Sequence, residues 1–349
     1  MRLELIPCEA RLRAPFVSAR DSVSVRPLLL VRVEAADGVV GHGEAAPLHG
    51  YDGVTVDDVR AALEDCRPLL AEGDGGDLAT LRRECAHVAV LPQAAAAVDL
   101  ALWDLEGRRV GRPVWRLLGA HEAAPVTVNA TIAAPDRARA AADAAAAAAR
   151  GFGCVKVKVG IGDEAGRLAA VRAAAGPRMS IRLDANGAWS VAEALASLRL
   201  LEPVGLELCE EPVSGLDEVS EVSAQTLVPV SIDETAVAPG ALERRVCDAA
   251  CLKITSCGGI SGLLAATRRA RATGYEVYLS STLDGPLGIA AALHVAAAVR
   301  PDRPCGLATL GQFADRADPL QGSGGTIPVP SGPGLGDRGD RLVGWYRGL

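Results

Sequence analysis

The stretch Cys154-Val155-Lys156-Val157-Lys158-Val159 decides the fold, because it is a short β-branched run whose two lysines recur at the strand period of two. Both ammonium groups therefore share one face, and the valines share the other. Similar short runs occur at 126–132, 180–184, 206–210, 228–233, 250–254, 276–281 and 305–309, and Ala-rich helical patterns separate them. That alternation predicts βα units and a parallel sheet. Eight strands over about two hundred residues give the expected fold class, α/β with a (β/α)8 TIM-type barrel over 121–320.

Residues 1–120 have a different rhythm. The runs 28–34 and 39–44 flank Ala35-Ala36-Asp37-Gly38 as a hairpin, and helical patterns follow at 56–67, 77–88 and 92–109, the last stopped by Gly111-Arg112-Pro113. This half is expected to be a separate α+β domain. The segment 321–349 is Gly/Pro-rich before Trp345 and Tyr346, and is expected to return and pack on that first domain.

Composition narrows the function. Of 349 residues, 49% are apolar and 23% charged, which excludes a disordered or coiled-coil chain. The 43 acidic and 36 basic residues leave a net charge of −7 with no dense Lys/Arg block, so nucleic acid is not expected as a partner. An aromatic share of 3% argues against base-stacking platforms and a membrane-interface belt. The longest apolar run, 286–299, is too short to span a bilayer, and the charged first ten residues do not read as a signal peptide. Nine scattered cysteines without Cys-x-x-Cys spacing read as reduced thiols, so a cytoplasmic location is expected. The five histidines build no local zinc cluster, and any metal should be held by oxygen.

In such a barrel the chemistry sits at the C-terminal ends of the strands. There the chain places Lys156 and Lys158, then Asp184 with Asn186 beyond, Glu210, Asp233, Lys253 and Asp284. The steps from 158 to 184, 210, 233, 253 and 284 are 26, 26, 23, 20 and 31 residues, about one βα unit each. Charges aimed into an apolar barrel are costly unless they pair or bind a metal. Asp184, Glu210 and Asp233 form an oxygen-only set suited to Mg2+. Two adjacent lysines disfavour each other's charge, which moves a lysine toward general-base duty, and Lys253 approaches from the opposite wall. Together these groups describe proton abstraction beside a metal-bound carboxylate, so the expected partner is a small-molecule carboxylate. By period two, Glu211 and Glu234 should face away from the interior.

On these residues the chain resembles the enolase superfamily, muconate-lactonizing-enzyme subgroup. The matching segments are Gly43-Glu44-Ala45-Ala46-Pro47, Ala101-Leu102-Trp103-Asp104-Leu105, Lys156-Val157-Lys158-Val159-Gly160, Asp184-Ala185-Asn186-Gly187-Ala188-Trp189, Cys209-Glu210-Glu211-Pro212, Ile232-Asp233-Glu234 and Leu252-Lys253-Ile254. The resemblance implies Lys158 as base, Lys156 as its tuning neighbour, Lys253 as the opposite lysine and Mg2+ on the three acids. It also implies a capping domain whose loops near 16–21 and 48–53 close over the barrel, with Phe16 and Tyr51 as lid contacts, and it is compatible with a homo-oligomer. Val128-Asn129-Ala130-Thr131-Ile132 and the 280–288 segment, with Ser281 and Asp284, are most similar to o-succinylbenzoate synthases, which eliminate water in menaquinone biosynthesis. N-acylamino-acid racemases and dipeptide epimerases use the same lysines as a two-base pair, and form the alternative.

Overall fold

The computed structural model describes residues 1–17, 22–337 and 339–348. Seven parallel strands form one curled sheet in chain order: Ala130–Ile132, Cys154–Lys158, Ser180–Asp184, Leu206–Glu210, Val230–Ile232, Ala249–Lys253 and Glu276–Ser280. The eighth expected strand, 305–309, makes only isolated parallel bridges, Ser280 to Gly306 and Val128 to Cys305. Those bridges lie between the last strand and the first, so the segment completes the barrel without a ladder of its own. At that bridge a Cβ on Gly306 would stand 2.4 Å from Ser280 Oγ, so only glycine leaves room for the serine side chain.

Two further expectations are corrected. The run 126–132 is split, because Val126–Thr127 pairs antiparallel with Thr326–Ile327 and only Ala130–Ile132 joins the barrel. After the fifth strand the chain forms a single 3-10 turn, Glu234–Val237, in place of an α-helix. Pro239 and Gly240 interrupt that connection, which is also the shortest between charged strand ends.

The N-terminal domain carries a three-stranded antiparallel sheet, Arg2–Val17, Ser22–Glu34 and Val40–Ala45, in that order. The first strand lay outside the sequence expectation, although Cys8, Ala10 and Leu12 are buried in alternation with Glu9 and Arg11. It is an edge strand, and so tolerates Pro7, which has no N–H to donate. The expected helix 56–67 is two helices, Val56–Glu64 and Arg67–Glu72. Helix Leu78–Val88 starts on the side chain of Asp77, which accepts the N–H groups of Ala79 and Thr80.

Helix Pro92–Arg109 joins the two halves. It is buried on nearly every side, between the small sheet and the barrel. Gly41 and Gly43 let it approach, since a Cβ on either would stand about 2 Å from the carbonyl oxygens of Ala101 or Ala97. Asp104 on this helix accepts from the backbone N–H of His42 (2.9 Å) and Leu335 (2.7 Å), and Asp99 accepts from the Ser261 hydroxyl (2.5 Å).

Glu44 of the small sheet reaches the start of barrel helix Pro286–Val299 and accepts from the N–H groups of Gly285 (2.7 Å) and Gly288 (3.3 Å). The hydroxyl of Tyr346, on the returning C-terminal segment, donates to the same carboxylate. Burial, then the nearby charge of Asp284, pushes Glu44 up to about 7. The folded chain holds this proton up to about pH 7, whereas an unfolded chain releases it near 4.5. Its share of stability is therefore complete below about 4.5 and is lost as pH rises through about 7. Glu44→Gln removes the titration while keeping the shape. Urea unfolding at about pH 5 and about pH 7.5 should show a smaller loss of stability in this variant than in the unaltered chain, and an identical slope would contradict the assignment.

Candidate active site

The strand register brings the charged residues together. Lys158, Asp184 and Glu210 are successive lateral partners across the second, third and fourth strands. Lys158 Nζ donates to Asp184 Oδ2 at 2.6 Å and to Asn186 Oδ1 at 2.9 Å. Lys156 Nζ lies 2.9 Å from that same Asp184 oxygen and 2.9 Å from Glu210 Oε1. On the opposite wall Lys253 Nζ is 2.5 Å from both oxygens of Asp233. All seven side chains are buried.

Their protonation follows from that pairing. Burial alone would lower Lys156, but Asp184 and Glu210 outweigh it and hold the ammonium above the ordinary lysine range. The expectation that neighbouring cations depress each other is thus reversed for Lys156. Burial opposes the charge on Lys253 too, and Asp233 overcomes it. Asp184 is held below the usual carboxylate range because Lys156 and Lys158 outweigh its burial, whereas burial pushes Glu210 up.

A metal would find oxygen here. Glu210, Asp233 and Cys251 each offer a ligand atom within 4.8 Å of the others, and Asp184 is tied to Glu210 through Lys156. Burial raises the Cys251 thiol well above its ordinary range, and its soft sulfur matches a hard divalent cation poorly. The donors that fit are the carboxylates of Asp184, Glu210 and Asp233, a hard set that suits a hard divalent cation.

A cavity opens above these groups. The small domain contributes Phe16 and Tyr51, the barrel Asn186 and Ser281. Phe16 places its ring 5.5 Å from Lys158 Nζ, and Tyr51 places its ring 4.3 Å from Lys253 Nζ. The Tyr51 hydroxyl accepts from Lys253 Nζ at 2.8 Å and donates to Asp233 Oδ1 at 3.2 Å. Lys158 and Lys253 thus each have one aromatic ring from the small domain beside them. Of the loop expected near 16–21, residues 18–21 lie outside the described residues.

Asp284 does not line this cavity. It is fully buried and accepts from the hydroxyls of Thr282 (2.7 Å) and Thr255 (3.3 Å), which tie the loop to the sixth strand's end.

Two family models cover most of the chain: the mandelate racemase / muconate lactonizing enzyme N-terminal domain over residues 3–119 and the enolase C-terminal domain-like model over 139–342. The chain belongs to the enolase superfamily. It is 31% identical to an L-Ala-D/L-Glu epimerase of Bacillus subtilis (strain 168) over 98% of each chain. The structure of that epimerase with substrate superposes with a TM-score of 0.88, at 30% identity, over 96% of this chain and 98% of that one. A dipeptide epimerase of Cytophaga hutchinsonii, complexed with Mg and D-Ala-L-Val, also superposes at 0.88, with 28% identity over 98% and 97% of the two chains. An o-succinylbenzoate synthase of Thermobifida fusca (strain YX) is 37% identical, over 58% of this chain and 66% of its own.

This enolase-superfamily chain positions its strand-end acids with residues that period-two reading turned outward. Glu211 is fully buried and accepts from the backbone N–H of Asp233 (2.6 Å) and of Thr235 (3.0 Å), and from the Thr235 hydroxyl. It thereby fixes the turn that carries Asp233. Its own φ is 41°, and that of Asn186 is 49°, so both residues just past the strands leave the extended conformation that the alternation assumed. Glu234 likewise turns toward the cavity and accepts from Asn186 Nδ2 at 3.0 Å. The adjoining Glu-Glu and Asp-Glu pairs were the visible hint of such support.

Glu211→Ala orphans two buried backbone donors at a cost of about 1–3 kcal/mol each. The variant should unfold at a clearly lower urea concentration than the unaltered chain; an unchanged midpoint would show that these bonds contribute nothing.

Proposed function

We propose that this enolase-superfamily enzyme uses Mg2+, held by Asp184, Glu210 and Asp233, to abstract the proton α to a substrate carboxylate, and that it racemises or epimerises that carbon. The observation that carries the reading is the presence of two lysines, Lys158 and Lys253, on opposite walls of one cavity. Bound Mg2+ would supply a Lewis acid that polarises the substrate carboxylate and makes the α-hydrogen more acidic. Lys158, uncharged at that moment, takes the α-hydrogen as a proton, and the C–H electron pair moves toward the carboxylate. Lys253, which Asp233 keeps charged, returns a proton to the opposite face. The reverse direction exchanges the two roles. The two full-length epimerase relatives support this reading.

Asn186, Ser281, Tyr51 and Phe16 are the residues proposed to touch the substrate. The seventh- and eighth-strand wall offers Ser280, Ser281, Thr282, Leu283, Gly306 and Thr309, without a charged group. A free ammonium seated there would meet hydroxyl oxygens but no opposite charge, which favours N-acylated amino acids over free dipeptides.

A second reading is o-succinylbenzoate synthase, favoured by the 37% identity to the Thermobifida fusca enzyme. In it, Lys158 removes the same proton, the neighbouring C–O bond breaks with its electron pair leaving as hydroxide, and the Lys253 ammonium stabilises the developing negative charge.

A panel of N-succinyl amino acids, dipeptides and the cyclohexadiene substrate of the synthase, run in D2O with Mg2+, separates the readings. The proposal expects deuterium at the α-carbon of an N-succinyl amino acid, abolished by EDTA and restored by Mg2+. Lys158→Ala and Lys253→Ala should each lower turnover by about 10²–10⁴-fold. Elimination of water from the cyclohexadiene without α-exchange on any other compound would transfer the assignment to the second reading.

A further inference from the structure

Tyr278 is buried inside the barrel and does not line the cavity itself. It comes from the seventh strand, three strands away from Glu210, and reaches across the barrel interior to donate its hydroxyl to Glu210 Oε2 at 2.7 Å. Lys156 occupies the other oxygen, Oε1, at 2.9 Å. The carboxylate is therefore gripped from both sides, with lone pairs remaining on each oxygen for a cation.

Tyr278 is itself held in place. The guanidinium of Arg182 packs over its ring, 4.2 Å from the centroid. Arg182 is fully buried, and is pinned by Glu207 at 3.1 Å and by the carbonyl of Pro304 at 3.2 Å. The Tyr278 oxygen also lies 3.0 Å from Ser231 Oγ. A cation against the face of a phenol withdraws electron density from the ring, and strengthens the hydroxyl as a donor. Packed rings turn little, so the direction of this donor is set before any ligand arrives.

We infer that Tyr278 is a positioning residue that orients Glu210 for a divalent cation, with Arg182 as its support. The inference rests on the proposed role of Glu210 as a Mg2+ ligand. Tyr278 does not touch the substrate; it acts through the carboxylate, as hydrogen-bond partners of metal-binding side chains commonly do.

The test titrates MgCl2 calorimetrically into the full chain and into Tyr278→Phe. A second variant, Tyr275→Phe, removes another buried tyrosine hydroxyl, one that among the described residues bonds the backbone of Ala241, Arg244 and Val246. Tyr278→Phe should weaken Mg2+ binding by about 10–100-fold. Its activity at low Mg2+ should fall and recover as Mg2+ is raised, whereas Tyr275→Phe should bind Mg2+ like the unaltered chain. Equal Mg2+ affinity in Tyr278→Phe and the unaltered chain would overturn the inference and leave the proposed function standing. A loss shared equally by both Phe variants would also overturn it, as a general effect on the fold. If the unaltered chain binds no Mg2+, the proposed function fails first and this inference with it. Should Tyr278→Phe not fold, 3-fluorotyrosine at position 278 keeps the size and changes the donor strength, and an unchanged affinity would overturn the inference in the same way.

Discussion

Asp184 Oδ2 receives both Lys156 and Lys158, and the geometry of the barrel follows from the need to keep that shared contact. Three lysines and three carboxylates lie buried together at the mouth of the barrel. Each would be expensive to desolvate alone, so every charge must find an opposite charge within hydrogen-bonding reach. This ties function to register. A slip of one residue in the second strand would turn Lys156 and Lys158 toward the surrounding helices and bring Val155 and Val157 into the mouth. The lateral pairing of Lys158 with Asp184, and of Asp184 with Glu210, is thus a packing requirement as well as a chemical arrangement.

The barrel alone would leave this array open to water. The small domain covers it and brings one aromatic ring to each catalytic lysine candidate, Phe16 near Lys158 and Tyr51 near Lys253. Tyr51 does more than cover, since its hydroxyl bonds both Lys253 and Asp233. Closure of the small domain therefore completes the hydrogen bonding of the far wall. Helix Pro92–Arg109, close against Gly41 and Gly43, and Glu44 at the start of helix Pro286–Val299 hold the two halves in that relation.

Much of this was legible in the sequence because alternation and spacing are direct records of strand geometry. Lys156 and Lys158 at a period of two, and strand-end charges one βα unit apart, need no tertiary information to be read. The segment 305–309 and the connection after the fifth strand depart from the pattern for a related reason. Periodicity reports propensity, whereas 305–309 makes only isolated bridges, and Pro239-Gly240 interrupts the connection that holds the 3-10 turn. The N-terminal strand was passed over because Pro7 and its charges obscured an alternation that only pairing with Ser22–Glu34 makes evident. Glu211 was misjudged because period two stops applying once φ turns positive. Asp284 stands at a strand-end spacing like the others, and only the structure shows that it bonds Thr282 and lies off the cavity lining.

The charged groups of the barrel form one connected series. Arg182 bonds Glu207 and packs on Tyr278, Tyr278 and Lys156 hold Glu210, and Lys156 shares Asp184 with Lys158. The Glu210 carboxylate cannot rotate freely when Tyr278 holds one oxygen and Lys156 the other. Lys158 gains from that rigidity through the Asp184 it shares, because proton transfer is efficient only when donor and acceptor are held at a constant separation. The connected series of buried charge, costly to build, thereby supplies the pre-organised field that a flexible, solvated set of the same residues would lack.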